Sequence, residues 1–300
     1  MNARMIDWRD LRIFLALAEA GSLSAAARAL RVDHATVGRR VAALERALGL
    51  RLIDRLPRSA PLTPNGVAVA AALAPMAASA VAVERLARLA KAAPAATVRV
   101  SAPPAAAAYV IAPRLAAFRR AQPTIAIALS AASGAAALDR GEADIAVRMG
   151  RPEQPGLIAR RVGRARFALY ASPQVARTAR DAWSFIGFDA ALDHVTSQRW
   201  LRTLAGDRPL AFCASDLFSQ AEAARAGLGA VVLPRFMGDG DPALVELRVD
   251  PPPPTQDFWL VSYPDLARAP ATRATMAFLA ETIGRACPVA ASETAAAVAL

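Results

Sequence analysis

Between Gly21 and Gly49 two short alanine-rich runs flank a polar knot, Arg31-Val32-Asp33-His34, and this stretch limits the fold more than any other part of the chain. Both runs have helical spacing, and the knot is long enough only for a tight turn between them. Ser22 or Ser24 caps the first run, which reaches about Leu30, and its Ala25, Ala26 and Ala27 let a neighbour come close. Asp33 is the N-cap of a second run from His34 to Leu48, which Gly49 closes. On that second run Val37, Val41, Leu44 and Leu48 share one dry stripe at about 100° per residue. Upstream, Trp8, Leu11, Leu15 and Ala18, with Phe14 beside them, predict a first amphipathic helix that Gly21 ends.

Opposite the dry stripe stand Ala35, Arg39 and Arg46, with Thr36 beside them and His34 and Gly38 on the flank. Arginine donates two bonds to guanine and small methyl groups touch the thymine methyl, so this face suits the major groove of DNA. Alone, each of these residues reads as an ordinary solvated face. Their spacing, the cap and the surrounding charge together read as a helix-turn-helix. Ser22, Asp33, His34, Ala35, Thr36, Arg39 and Arg40 are the expected contacts from this part. The charge agrees: the chain carries a formal +11, and residues 1–91 hold 14 Arg/Lys against 7 Asp/Glu. Such a balance asks for an acidic partner.

Leu50, Leu52 and Ile53 then predict a short strand, Arg55-Leu56-Pro57-Arg58 a turn, and Leu62-Thr63-Pro64 a returning strand that caps the next helix. This is a β-wing whose Arg55 and Arg58 would reach a phosphate or the minor groove. From Asn65 to about Lys91, Val69, Leu73, Met76, Ala80, Val83, Ala87 and Ala90 repeat every seven residues, which is a seam for a partner helix or for an internal core. Pro75 falls inside this run and predicts a bend near Ala71–Pro75.

The order of the first helix, "SLSAAARALRVDHATVGRRVAALERALGLRLIDR" and "LTPNG" resembles the N-terminus of LysR-type transcriptional regulators over roughly residues 6–66, in the branch that carries the VDHxTVGRR phrase. The usual family sequence has serine where this chain has Asp33 and Gly38, and glutamine where it has His34. Asp33 keeps the capping function, and Gly38 weakens the helix by about 1 kcal/mol relative to alanine. The resemblance implies a winged helix-turn-helix over residues 1–64, a dimerisation helix over 65–91 and an effector-binding domain over 92–288. It implies for that domain two Rossmann-like subdomains of periplasmic-binding-protein type, one at about 96–165 plus 263–287 and one at about 166–262.

The texture after Ala92-Ala93-Pro94-Ala95, read as a hinge, agrees with an α/β domain. Strands are predicted at 97–101, 124–130, 145–148, 167–171, 185–188, 210–214, 229–233 and 258–262, alternating with helices as in parallel sheets. Ligands in such sheets bind at the carboxyl ends of strands. With the strand ends that the LysR resemblance turns toward a cleft, the effector candidates it implies are Ser101 and Ala102, Ser130 to Ser133, Arg148, and Asp216 at a helix start across the cleft. Arg148 favours a carboxylate-bearing effector, with internal pairing to Asp144 or Glu142 an equal reading. Cys213 reads as a core residue and His194 as solvated or capping.

Other classes are disfavoured. Two histidines, one lysine and no GxSxG, HExxH or GxxxxGK[ST] leave little for catalysis. No metal site or cofactor is expected, since Cys213 and Cys287 lack ligand spacing. The charged MNARMIDWRD start is unlike a signal peptide, and the uncharged run from Ser59 to Val83 is too alanine-rich and proline-broken for a membrane span. The expected protein is a cytoplasmic regulator with double-stranded DNA, a small effector and a second copy of itself as partners, as dimer or tetramer. A solute-binding protein with a nonspecifically basic N-terminus is the alternative. The stretch 289–300 reads as a disordered tail.

Overall fold

The computed structural model describes residues 6–54, 56, 59–90, 96–132, 138, 141–152, 154 and 156–289. The predicted hinge residues Ala92 to Ala95, most of the predicted tail, and Arg55, Arg58 and Ser133 lie outside the described residues. The chain divides into two compact units, residues 1–88 and 89–300.

In the first unit, α1 (Trp8–Ala20), α2 (Leu23–Leu30) and α3 (His34–Leu48) are followed by α4 (Pro64–Ala90). Each of the first three starts and stops on chemistry written in the chain. Asp7, Ser22 and Asp33 accept backbone N–H bonds at the starts, and Gly21, Arg31 and Gly49 adopt the left-handed conformation at the ends. Arg31 is the described non-glycine residue at positive φ, held there by its N–H bonding back to Ala27 O and Arg28 O. The buried face of α1 is turned from the predicted one: Phe14 is buried and Leu11 and Leu15 pack beside the core as expected, but Ile13, Leu17 and Asp10 are also buried and Trp8 is exposed. These pack with Ala26, Ala27, Val37, Val41, Leu44, Leu52, Ile53 and Ala60.

Among the described residues the wing shows an antiparallel bridge of Ile53 with Leu62, with Thr63 N bonding to Leu52 O and Asp54 N to Pro61 O, and Leu50 is exposed rather than part of a strand. Its base is tied to α3 by Glu45 Oε1, which accepts from the N–H groups of Leu52 (2.8 Å) and Ile53 (3.3 Å). Thr63 Oγ1 accepts from Gly66 N (3.0 Å) and starts α4. Gly66 is required there, since a Cβ would stand 2.0 Å from the Leu52 carbonyl oxygen. Helix α4 runs through Pro75 without interruption. Its predicted seam is partly taken by the chain itself: Leu73 is buried in the first unit's core, with Val69 and Met76 packed beside it, while Val83 is exposed. No single described helix is long and apolar enough to cross a membrane.

The second unit holds two five-stranded sheets. Strands β1 (Ala96–Ala102), β2 (Ile125–Ala131), β3 (Ile145–Met149), β4 (Ile158–Ala165), β5 (Phe167–Ala171), β6 (Phe185–Gly187), β7 (Leu210–Cys213), β8 (Ala230–Pro234), β9 (Val245–Leu247) and β10 (Gln256–Ser262) order as β2-β1-β3-β10-β4 and β7-β6-β8-β5-β9. The sheets are mixed, not purely parallel as expected. β10 runs against both its neighbours in the first sheet and β5 against both of its own in the second. In each sheet the reversed strand is the one by which the chain arrives from the other. The first crossing is Arg166 alone, and the second is residues 248–255. The expected boundary at 262 was therefore misplaced, because β10 belongs to the first sheet. One apolar cluster runs through both subdomains, from Val98, Val100 and Ile145 to Leu169, Phe185 and Val232.

Strands β4 and β9 escaped the sequence reading. β4, IARRVGRA, has three arginines on an edge, where charge guards against pairing with a foreign strand, and β9 is only three residues long. Cys213 is likewise exposed rather than core, since β7 is the outer strand of its sheet. Cys287 is the buried cysteine, its thiol pushed up to about 11 by burial. After β1 the chain forms a helical stretch over 104–121 that includes a π turn at Ala107–Ile111 and ends in α5 (Leu115–Ala121). Among the helices that follow, α6 (Thr196–Ala205), α7 (Leu217–Arg225) and α8 (Pro270–Ala286) pack on the sheets. Tyr109 of that stretch stacks on Phe218 of α7, ring centroids 6.1 Å apart, and so joins the two subdomains.

Candidate nucleic-acid interface and ligand cleft

Helix α3 presents two faces because its apolar residues recur at three- and four-residue steps. Val37, Val41 and Leu44 are buried, and His34, Ala35, Arg39 and Arg46 are exposed, with Thr36 and Gly38 between. Asp33 begins the helix twice over. Its Oδ1 accepts from Thr36 N at 2.7 Å and its Oδ2 from the Thr36 hydroxyl at 2.5 Å. The Thr36 hydroxyl, then its backbone N–H, hold the Asp33 carboxyl below the usual range. Arg39 Nη2 donates to Thr36 Oγ1 at 2.9 Å.

Arg40 does something else. Its Nη1 lies 3.2 Å from Asp10 Oδ1 and 3.5 Å from Asp7 Oδ2, so it ties α3 to the first turn of α1. Asp10 is almost wholly buried, and the pair gives Arg40 a structural bond within the module while its side chain stays 35% exposed. Reading Arg39 and Arg40 as a pair missed this because the two aspartates lie 30 and 33 residues upstream, beyond any local pattern. Ser22 Oγ accepts from Ala25 N at 3.2 Å and caps α2, which settles the choice against Ser24. The cations expected on the wing, Arg55 and Arg58, lie outside the described residues, as noted.

At the carboxyl end of the first sheet, Ser101 and Ser130 are register partners on β1 and β2, and Ser101 also pairs with Ala146 on β3. Arg148, two residues further along β3, reaches back to Ser101 Oγ with Nη1 at 3.2 Å and Nη2 at 3.3 Å, and to Val147 O at 2.8 Å. The structure thus brings Ser101, Ser130 and Arg148 to one strand end, with Ala102 fully buried beside them. Ser101 is itself fully buried. Asp144, one of the two internal partners weighed for Arg148, is engaged by Arg99: Nη2 to Oδ1 at 2.6 Å, and Arg99 N to Oδ2 at 2.8 Å.

Asp216 sits in the other subdomain as the N-cap of α7. It accepts from Ser219 N and from Ser219 Oγ, both at 2.8 Å. Those bonds, the backbone one first, keep its carboxyl low. A cavity of about 470 Å³ lined by Arg180, Asp181 and Arg208 includes none of the effector candidates. Its Arg208 donates to the carbonyls of Ala205 and Leu204 and lies over the Phe185 ring, which makes it part of the wall. Among the described residues no group of three or more His, Cys, Asp or Glu is placed to hold a metal.

Against this geometry, a family model for the bacterial regulatory helix-turn-helix protein, lysR family, matches residues 8–67, and one for the LysR substrate binding domain matches residues 91–284. Over 70 residues the chain is 46% identical to an uncharacterized HTH-type transcriptional regulator of Mycobacterium bovis, covering 23% of this chain and 22% of that protein. Over 62 residues it is 47% identical to the SDS degradation transcriptional activation protein of a Pseudomonas species, covering 21% and 20%. The aligned part thus spans about a fifth of the length of these curated relatives. Among solved structures, CrgA, a LysR-type transcriptional regulator from Neisseria meningitidis, is similar at 26% identity and a TM-score of 0.55, covering 93% of this chain and 100% of that one. The Vibrio cholerae virulence activator AphB is similar at 25% identity and a TM-score of 0.54, covering 92% and 99%.

Proposed function

Since the chain belongs to the LysR family, we propose that it is a sequence-specific DNA-binding transcriptional regulator, not an enzyme, and that a small molecule held in its C-terminal domain sets its action on DNA. The observation that carries this is the outward face of α3, where Arg39 is held beside exposed Ala35 and His34 while the opposite stripe is buried. Arg39 reads a base edge with Thr36 bonded beside it, Ala35 touches the same groove, and His34 and Asp33 stand at the helix entry. Ser22 at the start of α2 lies at a phosphate, and the wing arginines Arg55 and Arg58 supply sequence-independent attraction. Arg40 contributes through the fold of the module.

Two copies joined along α4, whose Val83 is exposed, present two such helices to a dyad-symmetric site with half-sites about one helical turn apart. In the C-terminal domain the strand end with Ser101, Ser130 and Arg148 receives an effector bearing a carboxylate. The guanidinium that now forks onto the Ser101 hydroxyl is the group that would turn to it.

The test is selection from a pool of randomised duplexes by the full chain, followed by footprinting on the enriched sequence. A dyad-symmetric motif is expected. Salt-sensitive uptake of every sequence alike, with no enrichment, overturns the reading. For the effector, a panel of small carboxylates should include one that raises the melting temperature of the wild type and not of Arg148→Met.

A further inference from the structure

Arginine on an exposed helix face is a long, mobile side chain, and mobility decides what it recognises. A guanidinium free to swing finds the nearest phosphate and helps every sequence equally, whereas one held in a fixed plane meets a base edge. We propose that Asp33 and Thr36 are positioning residues for Arg39, a three-residue relay that converts a general cation into a sequence reader. The proposal rests on the reading of α3 as the recognition helix and says how that helix obtains its specificity.

The direction of each bond follows from donor chemistry alone. Arg39 Nη2, 2.9 Å from Thr36 Oγ1, can only donate, so the hydroxyl accepts from it. The hydroxyl proton is then free to point at Asp33 Oδ2, 2.5 Å away on its other side. The far end is anchored as well. Asp33 Oδ1 accepts from Thr36 N at 2.7 Å, so the carboxylate cannot rotate without losing the helix start. Thr36 is β-branched and stiff at its first torsion. Each joint from the backbone to the guanidinium is thereby fixed, with one of about five N–H donors engaged and the others left for DNA.

Spacing makes this possible. Positions 33, 36 and 39 are three apart, which on a helix places them one above another on the exposed side. The aspartate also brings a negative charge close to the phosphates. That charge weakens indiscriminate binding while it strengthens the hold on Arg39, so both consequences favour discrimination.

The experiment uses the full chain, a duplex enriched by the wild type, and a scrambled duplex of the same length and composition, with Thr36→Val, Thr36→Ser, Arg39→Ala and the double variant Thr36→Val/Arg39→Ala. Valine keeps the backbone bond to Asp33 and the β-branched shape, and an unchanged melting curve checks the fold. Thr36→Val should lose about 3- to 10-fold affinity for the enriched duplex, the cost of ordering one rotamer-rich side chain on binding, and leave the scrambled duplex unchanged. Thr36→Ser should restore the wild-type ratio. In the Arg39→Ala background the valine should have no further effect. A wild-type ratio for Thr36→Val overturns the relay. So does an undiminished valine effect in the absence of Arg39, which would make Thr36 a direct contact. A wild type that holds both duplexes equally overturns the reading of α3 itself, and this shows before any variant is made.

Discussion

Helices α3 and α7 begin with the same device. Asp33 caps through Thr36 and Asp216 through Ser219, each carboxylate taking the backbone N–H and the hydroxyl of the residue three places on. Three residues further the two diverge. In α3 the next position is Arg39, which donates to the threonine hydroxyl and faces outward. In α7 it is Glu222, which pairs with Arg225, and that arginine is bound at 2.6 Å by Asp241, a nearly buried carboxylate. A capping phrase therefore announces a helix start and nothing more. What the exposed hydroxyl does next depends on the residue one turn later, and on whether the arginine in reach has a buried carboxylate to satisfy.

The largest effect separating the two should come from Arg225→Ala. It strands Asp241 with its charge unpaired, and should cost about 2 kcal/mol of the second unit's stability, discounted because Arg225 is partly exposed. Calorimetric melting checks this, with duplex binding expected to be unchanged. Arg39→Ala should behave in the opposite way. Preference for the enriched duplex falls by about 1–3 kcal/mol while the melting curve stays in place. Equal losses on enriched and scrambled DNA would place Arg39 on a phosphate and collapse the contrast.

Next come the caps. Asp216→Ala should lower the second unit's stability by about 1 kcal/mol and leave DNA preference alone. Asp33→Ala should lower the first unit's melting transition and DNA preference together. The smallest effect is in acid. Both carboxyls are held below their ordinary value by bonds made only in the folded state. Their contribution is complete above the usual carboxylate range and is lost as the pH falls through the lowered values. Melting measured from pH 6 down to about 3 should fall more steeply in the wild type than in Asp33→Asn or Asp216→Asn, which cap without titrating.

Much of the first unit was legible because its signals are local. The caps at Ser22 and Asp33, the glycine stops and the dry stripe of α3 all lie within one or two turns of what they control. The fold class was legible from the alternation of short apolar runs. What was lost depends on distance or on edges. Arg40 pairs with aspartates two helices earlier, and Asp144 is held by an arginine 45 residues before it. The arginine-rich β4 and the short β9 have no interior pattern to read, and Cys213 looks apolar in sequence because nothing local says that its strand is the last in its sheet. Ser101 and Arg148 meet through the register of β1 and β3, a long-range pairing, whereas Asp216 opens α7 as expected, through a cap written three residues away.

The two passages of the chain between the sheets have a mechanical meaning. A body held at one point tumbles about it, but a body held at two swings only about the line that joins them. Here one attachment is a single residue, Arg166, and the other contains the proline run Pro251 to Pro254, which is stiff along its length. Such a joint behaves as a door rather than a ball and socket. On the effector reading proposed above, a molecule held between the strand ends would have one angle to act on.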